Sequence, residues 1–277
     1  MTRFLTLTLA AALSLTACNE TAQAPAEPST LSKNYPIALQ KIAEGVWVHT
    51  SNYSVPGRKP IPSNGLIVED GDSLIMVDTA WGEKATESLL EKVKSEIGKP
   101  VTKLIITHHH LDKLAGVDLM EFEGVEVFTH PLTPIKAVKA GYPVPNTSVA
   151  ALKEPTSRTK VGAVEIAYPG AAHAEENLIV YLPAQKILYG GCAIKGAESN
   201  SMGNLSDANL KAWPVSLNWV KATYPETQTV VPGHGKGADL SLIDKTLGMI
   251  AKRVNADAKA DAIKVDGATK PEEPAKP

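Results

Sequence analysis

Apolar residues along this chain recur with two periods, and the switching between them predicts the element order. Runs rich in β-branched and aromatic residues read as strands: Val46-Trp47-Val48-His49-Thr50, Leu66 to Glu69, Ser73 to Asp78, Val101 to Ile106 and Val125 to Thr129. The second and third are joined by Asp70-Gly71-Asp72, a turn signal. Glu83 to Ile97 instead gathers Leu89, Leu90, Val93 and Ile97 on one helical face, and Gly98 and Pro100 stop it. Further helices are predicted from Asp112 to about Glu121 and from Pro131 to Ala140, before a long connection from Gly141 to Ser157. A second strand group follows: Ala163 to Tyr168, Asn177 to Leu182 and Lys186 to Tyr189. Then come a helix over Asp207 to Thr223 with Trp213, Leu217 and Val220 inward, a strand over Thr229 to Val231, and a last helix over Leu240 to Val254. Two strand-rich halves that each end in helices predict an α/β fold of two packed sheets with helices outside, as one domain over residues 36–254.

Three stretches stand apart from this pattern. Asn52 to Pro62 carries Pro56, Gly57, Pro60 and Pro62 and is expected to be a loop. Its apolar candidates Tyr53, Val55 and Ile61 suit a substrate flap. Residues 1–17 read as a secretory signal, with Arg3 at its start and an apolar run, Phe4 to Leu15, too short to span a bilayer. Its end, Leu15-Thr16-Ala17-Cys18, fits a bacterial lipobox in which Cys18 is lipidated; an ordinary cleavage near Ala17 is the alternative. Asn19 after the cysteine points to the outer membrane of a Gram-negative cell, hence to the periplasm. Residues 18–35 are expected to be a flexible linker, and residues 255–277, rich in Ala, Lys, Asp, Pro and Glu, a disordered tail.

A net charge of −2 gives no reason to expect nucleic acid as a partner. Cysteine usage is more telling. Beside Cys18 the chain has only Cys192, so a lipidated Cys18 leaves Cys192 without a disulfide partner in an oxidising compartment. Metal ligation would account for it.

The chemistry concentrates in Thr107-His108-His109-His110-Leu111-Asp112, which holds three of the seven histidines directly after a strand. Imidazole and carboxylate at this spacing can converge on a divalent metal, with zinc the default. Three more candidates also follow strands: His173 after Gly170-Ala171-Ala172, Cys192 after Gly190-Gly191, and His234 within Pro232-Gly233-His234-Gly235. Each alone has a plain reading as a surface turn, a loop histidine or a small core cysteine. Four strand-end turns with six potential ligands are harder to explain separately.

The order H-x-H-x-D, H, G-G-C, P-G-H resembles the subclass B1 metallo-β-lactamases over roughly Ile42 to Val254. Longer runs are similar too, among them Ser63-Asn64-Gly65-Leu66-Ile67-Val68, Asp78-Thr79-Ala80-Trp81-Gly82 and Gly203-Asn204-Leu205-Ser206-Asp207-Ala208, and they look closest to the Verona integron-encoded branch. The resemblance implies an αβ/βα sandwich of two mixed sheets, acting as a monomer. It implies two zinc ions, one on His108, His110 and His173, the other on Asp112, Cys192 and His234. It implies hydrolysis of penicillins, cephalosporins and carbapenems by a hydroxide activated between the ions. Asp112 would help orient that hydroxide, Lys195 would bind the substrate carboxylate, and Asn204 would lie near the lactam carbonyl. Trp81 and Asp78 would be scaffold and support behind the ligands rather than substrate contacts. His109, out of register with H-x-H-x-D, would pack or bond behind the ligands. Glyoxalase II and lactonases of the same superfamily carry a histidine directly after the aspartate, where this chain has Lys113.

Three departures from the family pattern bear on metal occupancy and efficiency. Lys113 brings a positive charge towards the second zinc, Ala115 precedes Gly116 where two glycines are usual, and Ala174-Glu175-Glu176 follows His173 where a hydroxyl residue and an aspartate are usual. The alternatives are a hydrolase of another ester, lactone or thioester, and a weakly active zinc-binding homologue.

Overall fold

A computed structural model describes residues 37–268. The signal segment, Cys18 and the linker lie outside the described residues, as does the end of the tail. One sheet has the order β1 (Ala38–Ala43), β2 (Val46–Tyr53), β3 (Ile61–Asp70), β4 (Ser73–Val77), β5 (Val101–Ile105), β6 (Glu126–Phe128). The other has β11 (Thr229–Pro232), β10 (Ile187–Gly191), β9 (Ile179–Leu182), β8 (Val164–Tyr168), β7 (Ser157–Val161). Both are mixed: β4, β5 and β6 run parallel, as do β10 and β11, and the remaining pairs are antiparallel.

Strand periodicity sets the layers. Leu66 and Val68 on β3 point between the sheets, where they join Val77, Ile105, Ile166, Val180 and Tyr189 in one cluster. Ile67, one residue out of phase, faces outward with Met76 and Leu104 against Leu89 and Val93 of α1 (Glu83–Glu96). The second sheet turns Ile179, Leu188 and Val230 outward onto Trp213 and Leu217 of α5 (Trp213–Thr223) and Ile243 and Ile250 of α6 (Ser241–Ala268). Strands covered on both faces read as nearly unbroken apolar runs, which is why the central ones were legible. The result is the expected αβ/βα sandwich.

The differences lie at edges and ends. β1 and β7 were not foreseen; both are edge strands with few buried positions, Ser157-Arg158-Thr159-Lys160-Val161 for β7, so they carry little periodic signal. The flap is narrower than expected, because pairing persists through Asn52 opposite Pro62 and Tyr53 opposite Ile61. The helix after the histidine turn is broken into α2 (Leu111–Leu114) and α3 (Val117–Phe122) at Ala115-Gly116. Gly116 lies so close to α1 that a Cβ there would meet Thr86 Oγ1 at 2.2 Å, whereas Ala115 adopts an ordinary φ of −60°. A short α4 (Leu132–Ala140) follows β6. α5 starts at Trp213 rather than Asp207, with proline in its first turn and the Asn209 Oδ1 accepting from the Lys211 and Ala212 N–H groups. The expectation of disorder from Asn255 is corrected for residues 255–268, over which α6 continues to Ala268. Alanine and lysine favour a helix, an Arg253–Asp257 pair at 2.8 Å supports its turn, and no proline intervenes before Pro271.

One core residue makes stability depend on pH. His49 on β2 is buried with its Nε2 3.1 Å from the Asp78 carbonyl, and burial, aided by the charge of Lys113, pushes its pKa down to about 4. The unfolded chain, titrating near 6.5, binds that proton more tightly. The contribution is therefore complete above pH 6.5 and is lost as the pH falls through about 4, a change of roughly 3 kcal/mol. The melting temperature is expected to fall over this window and to fall less steeply in His49→Gln. An unaltered profile in the variant would exclude His49 as the source.

Candidate metal centre

All four ligand-bearing turns leave the carboxyl ends of β5, β8, β10 and β11, so the topology delivers them to one edge of the sandwich. The turn after β5 is fixed by Asp78, which sits just past β4 with φ 59° and a fully buried side chain. A left-handed backbone is unfavourable for aspartate, and three bonds hold it there. Thr107 donates its N–H to Asp78 Oδ1 at 2.8 Å and its hydroxyl to Oδ2 at 2.9 Å, and the Asp78 N–H donates to the Ile105 carbonyl at 2.8 Å. Burial, opposed by Lys113 and these donors, pushes the Asp78 pKa up to about 6.

Two ligand sets emerge. His108 Nε2 lies 3.1 Å and His173 Nε2 3.2 Å from His110 Nδ1, so three ring nitrogens meet. Burial first, then the neighbouring positive charges, hold His108 and His173 well below the usual imidazole range, so they present neutral rings with a free lone pair. His110 donates through Nε2 to Asp207 Oδ2 at 3.0 Å, which leaves Nδ1 as its ligand atom. In the second set Asp112 Oδ2 lies 3.2 Å from His234 Nε2 and 3.7 Å from Cys192 Sγ. His234 Nδ1 donates to the Pro62 carbonyl at 2.6 Å, which turns Nε2 to the site. Gly233 permits the approach of this turn, since a Cβ there would lie 2.8 Å from Cys192 Sγ.

The electrostatics of the second set call for a cation. Burial works to lower His234, but the negative charges of Cys192 and Asp112 outweigh it and push it up to about 10. Burial works to raise Asp112, and Lys113 and His234 outweigh it, holding the carboxyl well below its usual range. A set offering sulfur, nitrogen and oxygen beside a set of three imidazoles is donor chemistry that suits divalent, zinc-like metal. His109, His110 and Asp207 also converge, but His110 Nε2 there carries the proton shared with Asp207, so this third grouping orients a ligand rather than forming a site.

Lys113 lies close to the second set, as expected, but beneath its floor. The fully buried ammonium donates to Ser63 Oγ at 2.8 Å, the Asn64 carbonyl at 2.9 Å and the Gly233 carbonyl at 3.3 Å, and is 3.3 Å from Asp112 Oδ2. Burial works to lower its pKa, and the charges of Cys192, Asp112 and Asp78 outweigh it and raise it.

Above the floor is a cavity of about 800 Å³ lined by His110, Asp112, His173, Cys192 and His234, together with Lys195 and Asn204. Lys195 is 8% exposed and its ammonium lies 5.2 Å from the Trp213 ring centroid. Burial lowers its pKa. Asn204 lines the cavity, and its Oδ1 accepts from the Ser206 N–H at 3.0 Å to hold the loop turn. Trp81, expected to be scaffold, lines the cavity as well, stacked on Tyr53 with ring centroids 4.8 Å apart. Asp207 and Glu176, which the sequence reading passed over as site residues, bond to the metal turn. No local signal marks either of them, because each partner is more than 60 residues away in sequence.

The family model of the metallo-beta-lactamase superfamily matches residues 58–234. This chain belongs to that superfamily. A metallo-beta-lactamase type 2 from Bacillus sp. (strain 170) is 36% identical over 216 residues, covering 77% of this chain and 82% of the relative. The type 2 enzyme of Bacteroides fragilis is 31% identical over 223 residues, covering 80% and 89%. Among solved structures, the metallo-β-lactamase from Hirschia baltica superposes with TM-score 0.75 at 36% identity, covering 78% of this chain and 98% of the other. FIM-1 from Pseudomonas aeruginosa, in a mono-zinc form, gives 0.76 at 34% identity, covering 80% and 97%. The chain is thus a metallo-β-lactamase and an enzyme of β-lactam hydrolysis. Its superfamily is metal-dependent, and both ligand sets are of a kind that holds metal.

Proposed function

We propose that this metallo-β-lactamase belongs to subclass B1, near the Verona integron-encoded branch, and opens the ring of penicillins, cephalosporins and carbapenems with two zinc ions. His108, His110 and His173 would hold one ion, and Asp112, Cys192 and His234 the other. The observation that carries the reading is the pairing of a three-histidine set with an Asp-Cys-His set under one cavity that also receives Lys195. Zinc, when bound, supplies a Lewis acid and an acidified water.

The chain's own groups do the rest. Ring opening adds one water across the C–N bond, the hydroxyl to carbon and the proton to nitrogen. Asp112 accepts a hydrogen bond from the attacking water and so aims it. Lys195 binds the carboxylate beside the lactam nitrogen through a charge-assisted bond, and Trp213 beneath it limits where the ammonium can go. Asn204 contacts the lactam carbonyl, while the stacked Tyr53 and Trp81 form an apolar wall for the substrate's substituents. Lys195→Ala is expected to raise KM by roughly 10- to 100-fold, the worth of one hydrogen bond to a charged group, with a smaller change in kcat. An unchanged KM would remove Lys195 from substrate binding.

Purified protein assayed on imipenem, a penicillin, nitrocefin and a simple lactone tests the substrate range. Turnover of the lactone alone would defeat the proposal in favour of another hydrolase of the superfamily. For location, the sequence pattern at Cys18 supports a lipid anchor in the periplasm at the outer membrane, and the family resemblance supports a monomer. Radiolabelled palmitate incorporated by the wild-type chain but not by Cys18→Ser is the expected result. Equal labelling of the two would overturn it.

A further inference from the structure

The three-histidine set is assembled from two separate turns, one carrying His108 and His110, the other carrying His173. Among the described residues, the side-chain hydrogen bonds joining these turns, apart from the contact of the ligand nitrogens themselves, all end on one atom. Glu176 Oε1 accepts the backbone N–H of His109 at 3.0 Å and its ring Nδ1–H at 2.6 Å. His109 stands between the two ligands of the first turn, and Glu176 three residues beyond His173. Both side chains are buried, at 6% and 0% exposure, so neither bond competes with solvent.

We propose that His109 and Glu176 are a positioning pair that sets metal affinity at the three-histidine site by locking the distance between its two turns. The inference rests on the reading of that site given above. Its physical basis is preorganisation. A metal bound by ligands from two turns loses affinity when those turns move relative to each other, and partners behind the ligands typically contribute 10- to 100-fold. The Asp-Cys-His site draws on Asp112, Cys192 and His234, none of which bonds to Glu176.

The two sites can be followed separately with cobalt(II). The thiolate-to-cobalt charge-transfer band reports the Cys192 site, and the visible ligand-field bands report the three-histidine site as well. His109→Phe and Glu176→Leu are each expected to weaken cobalt binding at the three-histidine site about tenfold, with the charge-transfer titration unmoved. The double variant is expected to be no weaker than Glu176→Leu alone, because that change removes the acceptor of both bonds, whereas His109→Phe removes only the ring bond. Glu176→Gln keeps a carbonyl acceptor for both bonds and is expected to retain most of the affinity; it also carries the test if Glu176→Leu does not fold. Affinities within twofold of wild type in His109→Phe, equal weakening of both sites, or a Gln variant as weak as the Leu variant would each overturn the proposal. Nitrocefin turnover by the wild-type protein, measured in parallel, tests the functional reading on its own, whereas the cobalt affinities decide this one.

Discussion

Removal of divalent metal with a chelator is expected to lower nitrocefin hydrolysis by about 10³-fold or more, and added zinc is expected to restore it. Several kcal/mol of transition-state stabilisation come from a metal at such a site, and each 1.36 kcal/mol is tenfold in rate. His110→Ala should produce a loss of the same order that zinc does not repair. It removes the nitrogen that lies 3.1 and 3.2 Å from the other two ligands of its set. Cys192→Ser should lower metal content towards one ion per chain, since sulfur is the softest donor of the second set. Stoichiometry by mass spectrometry and rates on one substrate check all three. Full turnover by protein shown to be free of metal would remove metal chemistry from the account.

Lys113→Met is expected to destabilise the metal-free protein by about 3–5 kcal/mol, the usual consequence of removing one partner from a buried charged group. For a domain of this size that is a fall of about 6–20 °C in melting temperature. The methionine would fill the space but would remove the buried positive charge that faces Asp112 and Asp78 and one of the donors to the Asn64 and Gly233 carbonyls. Zinc neutralises Asp112 when bound, so the deficit should shrink in the loaded protein. The expectation from sequence was that Lys113 weakens the second metal by repulsion. The geometry adds an opposing effect, because the same ammonium keeps Asp112 ionised and the floor assembled. A fall of less than about 3 °C in the metal-free variant would show that the floor stands without the ammonium.

How far the ligand set was legible depends on where each residue stands. His108, His110, His173, Cys192 and His234 each follow a strand signal, and glycine flanks the last two, so residue type and local pattern coincide. In the structure the same residues gather into two clusters that could hold metal. Trp81 also lines the cavity, and nothing near it in sequence shows that Tyr53 stacks on it. β1 and β7 escaped notice because an edge strand buries little and so need not alternate cleanly. Residues 255–268 form a helix where disorder was expected, because their polar composition suits a solvated helix as well as a disordered chain.

Sequence alone determined the elements whose cause is local: apolar runs covered on both faces, an amphipathic α1, and metal-ligating residue types at strand ends. Only the tertiary structure decided what lies behind the ligands: Glu176 on His109, Asp207 on His110, and Lys113 under Asp112. The reason is physical. Periodicity records which face of an element is buried, whereas a hydrogen bond between groups 67 or 97 residues apart depends on how two turns meet in space.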